Sequence, residues 1–117
     1  MGEVLRGRIR HSKLSFGLMQ KIVPLVFNWA FGSITLLPKS LTISGLFKDK
    51  SLEIQVKDIL QFASNKPILI EFVKIYYKDK DGDIQDFEFS ANHAFSKNTA
   101  KIVSYLNEHK IKRVDFS

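Results

Sequence analysis

At 117 residues, with 44% apolar and 26% charged side chains, the chain has the size and composition of one globular domain with its own core. It contains no cysteine, which excludes disulfides, thiolate zinc sites and a cysteine nucleophile, and fits a reducing, cytoplasmic setting. The net charge of +6 lies wholly in residues 1–67, where 10 Lys and Arg face 4 Asp and Glu, while residues 68–117 hold 8 of each.

Residues 1–13 are polar and basic, and Val4-Leu5 with Ile9 allow either a frayed start or a short strand. Arg6, Arg8 and Arg10 alternate, so on a strand they project from one face. With Lys13 and Lys21 they make a basic segment suited to the phosphates of acidic lipids or of nucleic acid, or simply to solvation. From Leu14 to Leu37 the only charge is Lys21. Gln20, Pro24 and Asn28 interrupt this apolar stretch, which therefore reads as buried or interfacial rather than membrane-spanning. Leu14, Phe16 and Leu18 alternate as in a strand, while Leu14, Leu18 and Ile22 fit a helix, and periodicity does not choose between them.

A meander follows from Gly32 to Phe62. Ile34-Thr35-Leu36 forms a strand stopped at Pro38, Leu41 to Ser44 alternates up to Gly45, and Leu52, Ile54 and Val56 alternate with Glu53, Gln55 and Lys57. Lys48-Asp49-Lys50 makes a charged hairpin tip. Val56 to Phe62 reads as a short turn or bridge with Ile59 and Phe62 inward. After Asn65-Lys66-Pro67, Ile68 to Lys78 is expected as a long strand. Asp81-Gly82 signals a hairpin, and Ile84 to Ser90 returns with Phe87 and Phe89 on one side and Glu88 and Ser90 on the other. Phe95, Thr99, Ile102, Val103 and Leu106 then fall on one stripe of a helix near residues 95–109. Asn92 or Ser96 suits its N-cap, and His109 and Lys110 suit its C-terminal end.

Hairpin strands, a two-residue Asp-Gly turn and one C-terminal helix resemble a pleckstrin-homology-like (PH-like) domain. The run from Thr42 to Ile59, with Gly45-Leu46-Phe47, the basic hairpin and Asp58-Ile59, is similar to the bacterial PH-like (PH/GRAM-like) family. The likeness spans about Gly32 to Asn107. It implies an α+β, mostly β fold: a bent antiparallel sheet or partly open barrel capped by one C-terminal helix. Residues 1–31 are then an accessory segment, basic then apolar, and 32–117 the PH-like domain. The resemblance implies a scaffold for recognition or assembly. The connection Leu37-Pro38-Lys39-Ser40 is too short and too weakly charged to cradle an inositol polyphosphate.

The chemistry in the sequence points the same way. His11, His93 and His109 have no ligand-like partners, so no metal site and no general base is expected. Asp79, Asp81 and Asp83 alternate, but a calcium loop wants glycine at its sixth position and a bidentate glutamate at its twelfth, where Ile84 and Ser90 stand. An exposed hairpin tip with Lys78 and Lys80 as partners is the simpler reading. Gly32, Gly45 and Gly82 read as isolated turn residues. No catalytic residue and no cofactor are expected. The expected function is a non-catalytic binding module for self-association or contact with another protein. Trp29, Leu69, Val73, Tyr76 and Tyr77 are the candidate contact residues. The alternative is peripheral binding to acidic membranes through Arg6, Arg8, Arg10, Lys13, Lys21, Lys48 and Lys50. Non-specific nucleic-acid binding by the same basic side chains comes third, with Phe27, Trp29 and Phe31 as stacking candidates or, more simply, core.

Overall fold

The computed structural model describes residues 2–11, 30–45, 51–65, 71–91 and 97–115. Their strands are β1 (Glu3–His11), β2 (Ala30–Leu36), β3 (Ser40–Gly45), β4 (Ser51–Gln55), β5 (Ile59–Asn65), β6 (Phe72–Lys78), β7 (Ile84–Ala91) and β8 (Lys112–Arg113). Among the described residues one α-helix, α1 (Asn98–Glu108), precedes β8, and a 3-10 turn, Val56–Asp58, joins β4 to β5. The strands form one open, bent sheet in the order β4-β3-β2-β1-β7-β6-β5-β8. Every pairing is antiparallel except that of β8 with β5. The architecture is thus α+β and mostly β, with the helix last but for two residues of strand.

The order follows from local chemistry. Strict alternation in β2, β3 and β4 sends Ile34, Leu41, Ile43 and Ile54 to the core and leaves hydroxyl and charged side chains on the outer face. At the β6–β7 hairpin, Gly82 sits at φ +84°, which only glycine adopts without strain. Asp79 Oδ1 accepts the N–H groups of Asp81 and Asp83, both at 2.9 Å, and so holds the turn.

β1 corrects the expected division at residue 31. It is not peripheral: residues 3–9 pair with β2 and residues 7–11 pair with β7. The first strand therefore joins the two halves of the sheet, and an accessory segment ending at residue 31 does not describe it. Gly7 lies at the join. It stands opposite Gly32, which stands opposite Gly45, giving a row of three glycines across three strands. Gly32 and Gly45 are accordingly strand residues rather than turn residues. A Cβ on Gly7 would meet the Ser90 carbonyl oxygen and stand 2.5 Å from Phe89 Cζ and 2.7 Å from Cε2. The bare backbone is what lets the Phe89 ring settle over the crease.

Val56 to Phe62 is also corrected. Beyond the 3-10 turn the chain re-enters the sheet as a full strand. A register shift between Ile59 and Gln61 interrupts its alternation, so Ile59 and Phe62, three residues apart, both face the core as expected, while Ala63 is buried on the opposite face beside Lys74. The long strand expected from Ile68 is seen from Phe72, and residues 68–70 lie outside the described residues.

The helix closes the open side of the sheet. Thr99, Ile102, Tyr105 and Leu106 are buried, and Val103 is half-buried against the core. Tyr105, absent from the expected stripe, places its hydroxyl 2.6 Å from the Leu37 carbonyl and 2.9 Å from that of Ser40. It thereby fastens the helix to the β2–β3 turn. Asn98 Nδ2 donates to the Arg6 carbonyl (2.9 Å), and Lys101 pairs with Glu3 (2.7 Å). Phe95 and the two expected N-caps, Asn92 and Ser96, lie outside the described residues. Among the described residues no helix is long and apolar enough to cross a membrane.

Candidate functional site

Three groups of side chains offer chemistry, and the sheet register fixes where each stands. On the outer face, Arg6 of β1 is opposite Ser33, Ser33 opposite Ser44, and Ser44 opposite Ser51. The adjacent row runs Val4, Thr35, Thr42, Glu53. Arg6 and Arg8 are exposed on this hydroxyl-rich face, as their alternation predicts. Arg10 shares the face but is committed to an ion pair with Glu88 on β7. Lys13, Lys21, Lys48 and Lys50 lie outside the described residues, as do Phe27, Trp29 and Leu69.

The second group surrounds Tyr76 on the outer face of the other half-sheet. Gln61 and Asp86 flank Tyr76 in register, and Ile84 stands one diagonal step away opposite Lys78. Leu60 occupies the irregularity in β5 beside the Gln61–Tyr76 pair. Leu60 is 43% exposed and Ile84 66%, and with Val4 they are the exposed large apolar side chains among the described residues. Lys74 Nζ lies 5.3 Å from the Tyr76 ring centre. Val73 and Tyr77 do not join this surface: both point into the core, because β6 alternates and odd positions face inward. Of the five contact residues expected, Tyr76 alone is both described and on the outer face. Leu60 and Ile84 were missed. The signal for Ile84 was present, since Phe87 and Phe89 on the inner face put the even position 84 on the outer one. Further along, the outer face is shielded even where it is polar: Glu88 is only 7% exposed and Ser90 4%. Arg10 and Lys74 flank Glu88 from the neighbouring strands.

The third group is buried. His11 ends β1 inside the fold, not on a basic surface, and its Nε2 shares a 2.6 Å hydrogen bond with the Tyr77 hydroxyl. Loss of solvent lowers the His11 pKa below 6.5, opposed by the Asp86 carboxylate. Burial, then Asp79 and Asp86, push the Tyr77 hydroxyl up to about 12. At neutral pH both groups are uncharged, and the pair acts as a polar tie across β1 and β6. Nearby, Gln85 Nε2 donates to Asp79 Oδ2 at 3.0 Å. The carboxylates of Asp79, Asp81 and Asp83 lie within 4.8 Å of one another, yet both Asp79 oxygens already serve the hairpin. An open cleft of about 450 Å³ runs beside α1, lined by Glu3, Leu36, Lys97, Ala100, Lys101, Ser104, Tyr105 and Glu108. The Lys101–Glu3 ion pair spans it.

No family model matches the chain, and comparison with curated proteins gives no match.

Proposed function

We propose that this chain is a PH-like, non-catalytic binding and assembly module that makes a protein contact through the outer face around Tyr76, in the cytoplasm. The succession of hairpin strands followed by one closing helix supports the PH-like reading. The observation that carries the contact is the placing of Leu60 and Ile84 in solvent on either side of Tyr76, with Lys74, Lys78 and Asp86 as a charged rim. An apolar centre with a polar rim is how protein interfaces are built. A second copy of the chain is the simplest partner. Light scattering over a range of concentrations tests this: the wild-type mass rises with concentration, and Leu60→Lys with Ile84→Lys holds the chain at the monomer mass. A monomer at all concentrations, with no loss of any partner in the double variant, defeats the reading.

Peripheral binding to acidic membranes is the second reading, favoured by the shared exposure of Arg6 and Arg8 on one hydroxyl-lined face. It requires sedimentation with phosphatidylserine vesicles that fades as salt rises and is lost on Arg6→Glu with Arg8→Glu. A gel shift with single-stranded DNA and a steep salt dependence would instead favour nucleic acid.

A further inference from the structure

The two ends of the sheet are finished differently. At one end β8 is two residues long, and its side chains, Lys112 and Arg113, are both basic and exposed. A short cationic edge discourages the addition of another strand. Arg113 is further tied down, donating to Ser64 Oγ at 2.7 Å. At the other end β4 is longer and carries one charge, Glu53. It reads Ser-Leu-Glu-Ile-Gln, with no lysine, no proline and an unbroken register against β3.

The backbone of β4 says which groups are on offer. Val56 N–H donates to the Lys39 carbonyl at 2.9 Å, one pair beyond Gln55 opposite Ser40. Hydrogen-bonded and non-bonded pairs alternate along an antiparallel ladder. Ile54 and Leu52 therefore bond to β3, and the N–H and C=O groups of Ser51, Glu53 and Gln55 are directed away from it. Among the described residues no strand lies beyond them. The side chains set the chemistry of an incoming strand. On the core side Ile54 is buried, while Leu52 and Val56 are half-buried at the margin of the core, so apolar residues placed there extend it. On the outer side Glu53 is exposed and, among the described residues, held by 3.4 Å contacts to Ser40 Oγ and Gln55 Nε2.

We infer that the edge of β4, which no strand of the described residues covers, is a strand-accepting site for an extended peptide of a partner protein, added antiparallel and reading apolar–basic–apolar, with Lys or Arg opposite Glu53. Main-chain bonds to Ser51, Glu53 and Gln55 supply the affinity, and the alternate side chains supply the selection. A second copy of β4 fits worse. Full antiparallel overlap of two such strands sets Glu53 against Glu53, and like charges directly opposite are destabilising.

The test uses the full chain and a labelled peptide, Ser-Thr-Val-Lys-Val-Thr-Ser. Fluorescence anisotropy gives saturable binding, and amide exchange by NMR slows at Ser51, Glu53 and Gln55 while Leu52 and Ile54, already bonded, change little. Replacing the peptide lysine by glutamate weakens binding by roughly 3- to 10-fold, and Glu53→Lys reverses that preference. Ile84→Lys binds the peptide like the wild type, so failure of the Tyr76 contact leaves this result standing. The inference is overturned by a peptide that does not saturate up to millimolar concentration, or by binding that leaves those three amides unprotected. It is equally overturned if charge reversal has no effect, or if the three amides become protected in the free chain as its concentration rises.

Discussion

Gly7→Ala isolates the crease in the sheet. The new methyl carbon would sit 2.5 Å from Phe89 Cζ, and it would also press on the Ser90 carbonyl, whereas ordinary contacts begin near 3.4 Å. The ring can rotate aside, but the carbonyl belongs to β7 and is held by the β1–β7 ladder. Relief therefore needs about 1 Å of separation between two paired strands, and overpacking of this kind costs about 2–3 kcal/mol. For a domain of this size that lowers the melting temperature by roughly 8–15 °C. Gly82→Ala is the comparison, because a Cβ there has nothing within 4 Å and pays only for its φ of +84°, about 1–2 kcal/mol. Urea denaturation followed by circular dichroism measures both. The reasoning fails if Gly7→Ala costs no more than Gly82→Ala.

Two further outcomes follow from the buried polar groups. His11 has a folded pKa below its unfolded value of 6.5, so the unfolded chain binds the extra proton and stability falls as pH drops through 6.5 toward the folded pKa. Urea midpoints between pH 8 and pH 5 should show this fall, and His11→Gln should flatten it. Leu106→Ala should cost about 3 kcal/mol and Tyr105→Phe about 1 kcal/mol. A lower midpoint for Tyr105→Phe than for Leu106→Ala would show that the helix is fastened by its hydroxyl rather than by its apolar stripe.

Much of the fold was legible because the relevant strands alternate cleanly and their turns are marked. The meander of β2, β3 and β4 could be read residue by residue, as could the Asp-Gly hairpin and the stripe of α1. β1 was obscured because its inward positions after Leu5 are Gly7, Ile9 and His11, so only one of three is a conventional core residue. β5 was obscured because its register shift sets Ile59 and Phe62 on one face at a spacing of three, which is not the period of a strand. Tyr77 was misread for a related reason: a tyrosine looks like surface until His11, brought from far along the chain, provides a partner for its hydroxyl. The outer-face patch was half legible. Tyr76 was visible in the sequence, while Leu60 gained its exposure from the irregularity that hid β5.

The pairing of Gly7 with both Gly32 and Ala91 has a consequence for how the molecule is made. As the chain leaves the ribosome, β1 can dock on β2 once Leu36 is out, yet its second ladder waits for β7, which begins only at Ile84. At about 5–20 residues per second, the nascent sheet spends several seconds with the far half of its first strand unzipped. A chaperone that recognises bare strand edges would find its target there during that interval, and the β6–β7 hairpin would evict it on docking.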